Sequence, residues 1–149
     1  MTDLTAADQR AIEWACMRLM VQFAEFNDRQ DYDALAALFD ERGRFARPTD
    51  PNTMIEGRDN ILKAFQSRPK GRLTQHLCSN MLVTAESTDR ARGSCRIVLF
   101  TADGAQAPEG AFGIKADARQ LVGLYEDRFV RAPEGWRFAE RRGRVLYHT

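Results

Sequence analysis

Apolar residues recur at three-and-four spacing near the start of the chain: Ile12, Ala15, Cys16, Leu19, Met20, Phe23 and Phe26. That spacing builds one face of a helix, predicted from about Ala6 to Asn27. Trp14, Met17 and Val21 lie on another face of the same helix. A helix apolar over so much of its girth is covered on both sides, and a sheet on one side and a subunit on the other would do it. Asn27-Asp28-Arg29-Gln30 is a polar break. Asp31 then reads as the N-cap of a short helix through Ala34, Leu35 and Leu38. Gly43 to Ala46 reads as a short strand, and Arg47-Pro-Thr-Asp-Pro-Asn as a loop, on its proline and turn-former content. Asp59 is placed to cap a third helix whose apolar side is Ile61, Leu62 and Phe65.

From residue 73 the period changes from helical to alternating. Leu73–Ala85, Arg90–Thr101, Leu121–Arg131 and Trp136–Leu146 read as long strands, with turns at Thr88-Asp89 and Pro133-Glu134-Gly135. Residues 102–119 are rich in Gly and Ala, contain Pro108, and read as a long loop or an irregular strand extension near a pocket mouth. Helices first and an antiparallel sheet second is an α+β order. No repeat and no interdomain linker interrupts it, so residues 1–149 are expected to form one domain.

Composition narrows the function classes. Of 149 residues, 22 are basic and 21 acidic, a net charge of +1, which creates no field suited to nucleic acid or an anionic membrane. No apolar run approaches the length of a membrane span. The opening MTDLTAADQR is polar and lacks the apolar stretch of a signal peptide. Cys16, Cys78 and Cys95 are odd in number and form no CxxC pair, so they read as small buried hydrophobes in a reducing, cytoplasmic setting. Two histidines and three scattered cysteines make no dedicated zinc site. No GxGxxG, P-loop, GxSxG or HExxH motif occurs, so neither a metal nor a cofactor is expected. Arg137, Arg141, Arg142 and Arg144 are interrupted by Glu140 and split by alternation, which reads as an exposed, salt-bridged strand.

One histidine is placed for chemistry. His148 is the penultimate residue, where chains fray. His76 lies mid-strand, and alternation puts Thr74, His76 and Cys78 on one face. Asp28 falls at the end of the first helix, facing the negative end of the helix dipole, a placement that costs roughly 0.3–1 kcal/mol. A histidine partner would offset that cost. An isolated imidazole has a pKa of about 6.5 and is a usable base near neutrality. A carboxylate on one ring nitrogen would fix its tautomer and stabilise the imidazolium that forms.

These motifs have a familiar order. FAEFNDRQDYDALAALF, then Gly57-Arg58, then TQHLCSNMLV, then GLYEDRFVRAPEGWRFAERR together resemble the SnoaL-like, nuclear-transport-factor-two-like family over nearly the whole chain, least well at residues 102–118. The resemblance implies a cone: a strongly curved antiparallel sheet wrapped around about three N-terminal helices and enclosing an apolar cavity. In dehydratase and dehydrochlorinase members the residues matching Asp28 and His76 form a dyad. The resemblance therefore implies Asp28 and His76 as the catalytic pair. Scytalone dehydratase also uses two tyrosines, where this chain has Asn27 and Arg47, and a second histidine, which falls near Thr101. Scytalone itself is thus an improbable substrate.

Arg47 either polarises an oxygen, binds a carboxylate, or is a solvated loop residue. Asn27 either bonds a substrate oxygen or terminates the helix. Phe23, Phe26, Leu99, Phe100 and Tyr125 are candidate apolar walls beside Cys78, or plain core. Two functions follow. One is a cofactor-independent lyase (dehydratase-like) or isomerase acting on a small hydrophobic cyclic molecule. The other is a non-catalytic binding or assembly module, similar to the β subunits of ring-hydroxylating dioxygenases. A homodimer or homotrimer is expected in either case.

Overall fold

The computed structural model describes residues 3–149. The first helix, α1, spans Ala6–Asp28. Thr5 starts it with a capping box: its hydroxyl accepts from the Asp8 N–H, and the Asp8 carboxylate accepts from the Thr5 N–H. Gln30 stops it in the left-handed region, at φ 58°. The Asp31 N–H returns to the Phe26 carbonyl and the Gln30 N–H to the Asn27 carbonyl, the double closure of a Schellman motif. Glycine is the usual residue there. Gln30 instead anchors itself, its amide donating to the carbonyls of Lys70 at 3.1 Å and Arg72 at 3.0 Å. The end of α1 is thereby tied to the strand that carries His76.

Helix α2 spans Tyr32–Ala37, with the Asp31 side chain capping the Ala34 N–H. Strand β1 covers Phe39–Arg47 and β2 covers Asp50–Glu56, joined by a tight turn at Pro48-Thr49. The expected loop at 47–52 is therefore a hairpin. Its second strand escaped sequence reading because it opens on Asp50-Pro51, and proline is tolerated only at an edge or a strand start. Strand β2 is that edge. Helix α3 spans Arg58–Gln66. Its N-cap is Gly57 at φ 91°, a conformation open to glycine. Asp59 sits inside the first turn and does not cap it.

Four long strands follow: β3 Arg72–Ala85, β4 Arg90–Asp103, β5 Leu121–Ala132 and β6 Gly135–His148. A single 3₁₀ turn at Gly110–Phe112 punctuates the segment between β4 and β5. The sheet order is β2-β1-β6-β5-β4-β3. Every pairing is antiparallel except β1 with β6, which is parallel. The sheet is open and curves around α1, which packs chiefly on β3 and also meets β4 and β6. The α+β class and the single curved sheet agree with the sequence reading.

Two bulges decide which residues face inward. Asn80 adopts φ 51° in β3, where the register to β4 slips by one residue. The inward set there changes from Thr74, His76 and Cys78 to Met81, Val83 and Ala85. In β6, Phe138 pairs with Phe129 while Glu140 pairs with Arg128, so Ala139 is an extra residue. One added residue inverts the alternation beyond it. Arg141 consequently points inward and is 1% exposed, a correction to the exposed arginine strand read from sequence. Its guanidinium lies 4.5, 3.9 and 4.8 Å from the ring centres of Phe23, Tyr125 and Phe138. Its Nε is 3.2 Å from the equally buried Asp127 carboxylate.

The core is aromatic. Phe23 projects from α1 into the rings of Phe39, Phe45, Phe65, Tyr125 and Phe138, with centroids 5.6–6.1 Å apart and mostly edge-to-face. The other face of α1 stays open in this chain, with Trp14 and Val21 exposed. No helix among the described residues is long and apolar enough to cross a membrane.

Candidate active site

Beyond the aromatic core, where α1 ends, the sheet and helices leave a cavity of about 240 Å³. Strands β4, β5 and β6 give it an apolar surface of Ile97, Leu99, Leu121 and Val145. Asn27, Arg47, Arg68 and His76 supply polar groups from other elements, and Tyr125 completes the lining beside Gly123. The volume falls just under the roughly 300–1,000 Å³ of drug-sized ligand sites, so it suits a compact molecule. The Arg47-Pro48-Thr49 turn forms part of its wall. That turn is held by the Pro48 ring lying on the backbone of Gly143, where a Cβ would come within 2.5 Å of proline Cγ.

Asp28 and His76 meet at this cavity. The His76 Nδ1–H donates to Asp28 Oδ1 at 2.6 Å, and both side chains are almost fully buried. Asp28 also accepts from the Thr74 hydroxyl at 2.9 Å, the His76 backbone N–H at 2.8 Å and the Gln75 amide at 3.3 Å. Four donors converge on a carboxylate at a helix C-terminus whose last turn contains no basic residue. They offset the unfavourable dipole and fix the imidazole through one nitrogen. The other nitrogen, Nε2, has no protein partner among the described residues, and the ring lines the cavity.

Asn27 is 3% exposed and lines the cavity. Its Oδ1 accepts from Arg68 Nη1 at 3.0 Å, which leaves its amide N–H groups for a ligand. It does not terminate the helix; Gln30 does. Arg47 lines the cavity too, with Nη2 donating to the Ala64 carbonyl at 3.0 Å. Tyr125 presents a phenol whose burial pushes its pKa up to about 12, so it is an O–H donor at any working pH.

Four expected wall residues lie elsewhere. Phe23 is consumed by the aromatic core. Phe26 packs partly buried against the same core from α1. Cys78 faces inward beyond His76 but borders Cys95 and Arg141. Phe100 pairs with Gln75, while His76 pairs with Leu99. Phe100 therefore stands on the opposite side of the sheet, and Leu99 is the wall. Thr101 bonds Asp117 at 2.6 Å instead of joining the cavity, and Arg72 pairs with the same carboxylate. Those two contacts hold the Asp117 carboxyl below the usual range.

Sequence reading missed Arg68. It follows α3 in a Ser-Arg-Pro-Lys turn, where an arginine is ordinarily solvated. Here its guanidinium sits 4.3 Å from the Phe65 ring centre, and burial pulls its pKa down from the ordinary guanidinium range. The one signal available was its position, four residues before the strand that bears His76.

The chain belongs to the SnoaL-like domain family, whose model matches residues 8–142. No curated protein sequence matches it. Among solved structures, it is similar to a hexachlorocyclohexane dehydrochlorinase of type 2 at TM-score 0.78 and 16% identity, covering 97% of this chain and 92% of that one. A protein from Novosphingobium aromaticivorans described as a candidate scytalone dehydratase aligns at TM-score 0.75 and 24% identity, over 96% and 90% of the two chains. A nuclear-transport-factor-two-like protein with a cystatin-like fold from the same organism aligns at TM-score 0.69 and 23% identity, over 98% and 92%. At these identities the likeness establishes the shared fold.

Proposed function

We propose that the cavity is the active site of a cofactor-independent lyase, of dehydratase type, or isomerase acting on a small hydrophobic cyclic molecule. The observation that carries this reading is the 2.6 Å contact between Asp28 and His76 with Nε2 left free at the cavity. With Nδ1–H held by the carboxylate, the lone pair sits on Nε2. That nitrogen takes a proton from a carbon next to a carbonyl. The C–H electron pair becomes an enolate, then expels a leaving group one carbon further on, or is reprotonated elsewhere in the molecule. The imidazolium returns its proton to the departing oxygen or to the new carbon. Asp28 stabilises that imidazolium without itself taking the proton. Tyr125 and the Asn27 amide donate to the substrate oxygen as charge builds there. A positioned base of this kind contributes about 10²–10⁴ in rate. Family membership, and the likeness to a dehydrochlorinase and a candidate dehydratase, support the same class of reaction.

The test is turnover of a panel of small cyclic β-hydroxy and β-halo ketones, read as the ultraviolet absorbance of the conjugated product. His76→Ala should abolish it with the circular dichroism spectrum unchanged, and Asp28→Asn should lower kcat by about 10²-fold or more. Full activity in His76→Ala ends the reading. A homodimer or homotrimer in the cytoplasm belongs to the proposal, and light scattering reads the assembly.

A further inference from the structure

We infer that the ligand of this cavity carries a carboxylate, bound between Arg47 and Arg68. The inference rests on the cavity being the substrate site and adds the chemical class of what enters it. Both guanidiniums line the cavity. They reach it from different elements, Arg47 from β1 and Arg68 from the turn after α3. They are near enough for the charge of Arg47 to act on Arg68. Neither forms an ion pair with any acidic side chain among the described residues. Each spends one nitrogen on a neutral acceptor: Arg47 on the Ala64 carbonyl, Arg68 on the Asn27 amide oxygen. The remaining N–H groups of each fork are free for a bidentate acceptor.

The charge balance selects a monoanion. The charged groups facing this space are Arg47 on β1, Arg68 after α3, Arg72 and His76 on β3, and Asp28 behind His76 on α1. Asp117 neutralises Arg72. With Asp28 as carboxylate and His76 as the neutral base, one positive charge is left over in a partly buried pocket. Leaving two guanidiniums half-desolvated side by side is costly without a counter-charge. A ligand carboxylate supplies it. In the same cavity, Ile97, Leu99, Leu121 and Val145 form the apolar lining that receives the rest of the ligand. Asn27 reinforces the site: it is 3% exposed, its oxygen is held by Arg68, and its N–H groups are open to an oxygen of the ligand.

Titration with benzoate and with its neutral isostere benzamide, followed by amide chemical shifts in two-dimensional NMR, tests this on the unmodified protein. Benzoate should perturb residues around the cavity, and benzamide should bind at least about tenfold more weakly. Arg47→Gln and Arg68→Gln should each weaken benzoate by about tenfold or more and leave benzamide unchanged. Arg142→Gln, on the exposed face of β6, should alter neither. Phenylphosphonate, which can carry two charges, should bind no more tightly than benzoate. Equal affinity for benzoate and benzamide, no cavity shifts with benzoate, or tighter phenylphosphonate binding would overturn the inference. The wild-type comparison needs no variant to fold. The two claims also fail separately: undiminished turnover in His76→Ala, with benzoate still preferred over benzamide, ends the proton-transfer reading alone, whereas turnover lost in His76→Ala, with the wild type binding benzoate and benzamide equally, ends this inference alone.

Discussion

The most demanding prediction concerns Arg141, a cation folded into the aromatic core. Its side chain is 1% exposed and that of Asp127 is fully buried, with 3.2 Å between them. Their contact is close but poorly aligned: both carboxylate oxygens of Asp127 lack a well-directed donor, as Arg141 Nε and Nη1 lack an acceptor. Attraction between the charges and the three ring faces must therefore supply what hydrogen bonding does not. Arg141→Met keeps the apolar stem and removes the cation, stranding Asp127. Breaking a buried pair in this way costs about 3–5 kcal/mol. For a chain of this length that corresponds to a drop in Tm of roughly 6–20 °C. The double variant Arg141→Met/Asp127→Leu should recover most of the loss, because an apolar replacement of both partners is often neutral or better. Urea denaturation of the four proteins of the cycle measures it. Burial pushes the Asp127 carboxyl up, with Arg141 as the one influence pulling it down. In Arg141→Met the folded protein therefore binds that proton more tightly than the unfolded chain, so stability rises as pH falls from 9 to 5. A single variant within about 1 kcal/mol of wild type, or a double variant no more stable than the single, would refute the reasoning.

Two further outcomes follow from the same network and from the dyad. Cys78 borders the Cys95 thiol and feels Arg141, which together bring its thiol down to about 7; the same neighbour and burial push Cys95 up. Alkylation of Cys78 by iodoacetamide, followed by mass spectrometry, should rise with a midpoint near pH 7, and a midpoint at or above the roughly 8.5 of a free thiol would contradict the contact. Asp28→Asn turns one acceptor oxygen into a donor facing donors. At least one of the four bonds is lost outright, which should cost about 1.5–3 kcal/mol in chemical denaturation; a change below about 0.5 kcal/mol would show that the carboxylate is not the hub drawn from the geometry.

Much of the fold could be read from patterning, because its longest elements are its most periodic. Helix α1 carries a 3.6-residue period, the four long strands carry 2-residue periods broken only at bulges, and Asp31 sits where a cap must be. The elements that were misread share one cause. Strand β2 looks like a loop because a proline, Pro51, stands at its second position, and it is a strand only because β1 offers it an edge. Arg141 looks solvated because alternation counts it outward, and the single extra residue Ala139 reverses the count. The candidate site divides along the same line. Asp28 ends α1 and His76 lies within β3, two elements that periodicity locates, 48 residues apart in sequence, and Gln30 fastens those elements together. Arg68, and the choice of Leu99 over Phe100 as the wall, depend on where a turn and a sheet face point in space. Phe23 stands open in the sequence between wall and core, because an aromatic on a helix looks the same whether it borders space or fills it. Five neighbouring rings decide that here.

The proton-transfer claim can be measured without knowing the natural substrate. In D2O, a base at His76 should exchange hydrogens next to the carbonyl of small cyclic ketones, with no leaving group required. Cyclohexanone and 4-oxocyclohexanecarboxylate are suitable probes, followed by proton NMR. The wild-type protein should incorporate deuterium into the carboxylate-bearing ketone faster than buffer, and faster than into cyclohexanone, while folded His76→Ala should do so only at the buffer rate. Exchange that is undiminished in His76→Ala, or absent in the wild type, would contradict the account.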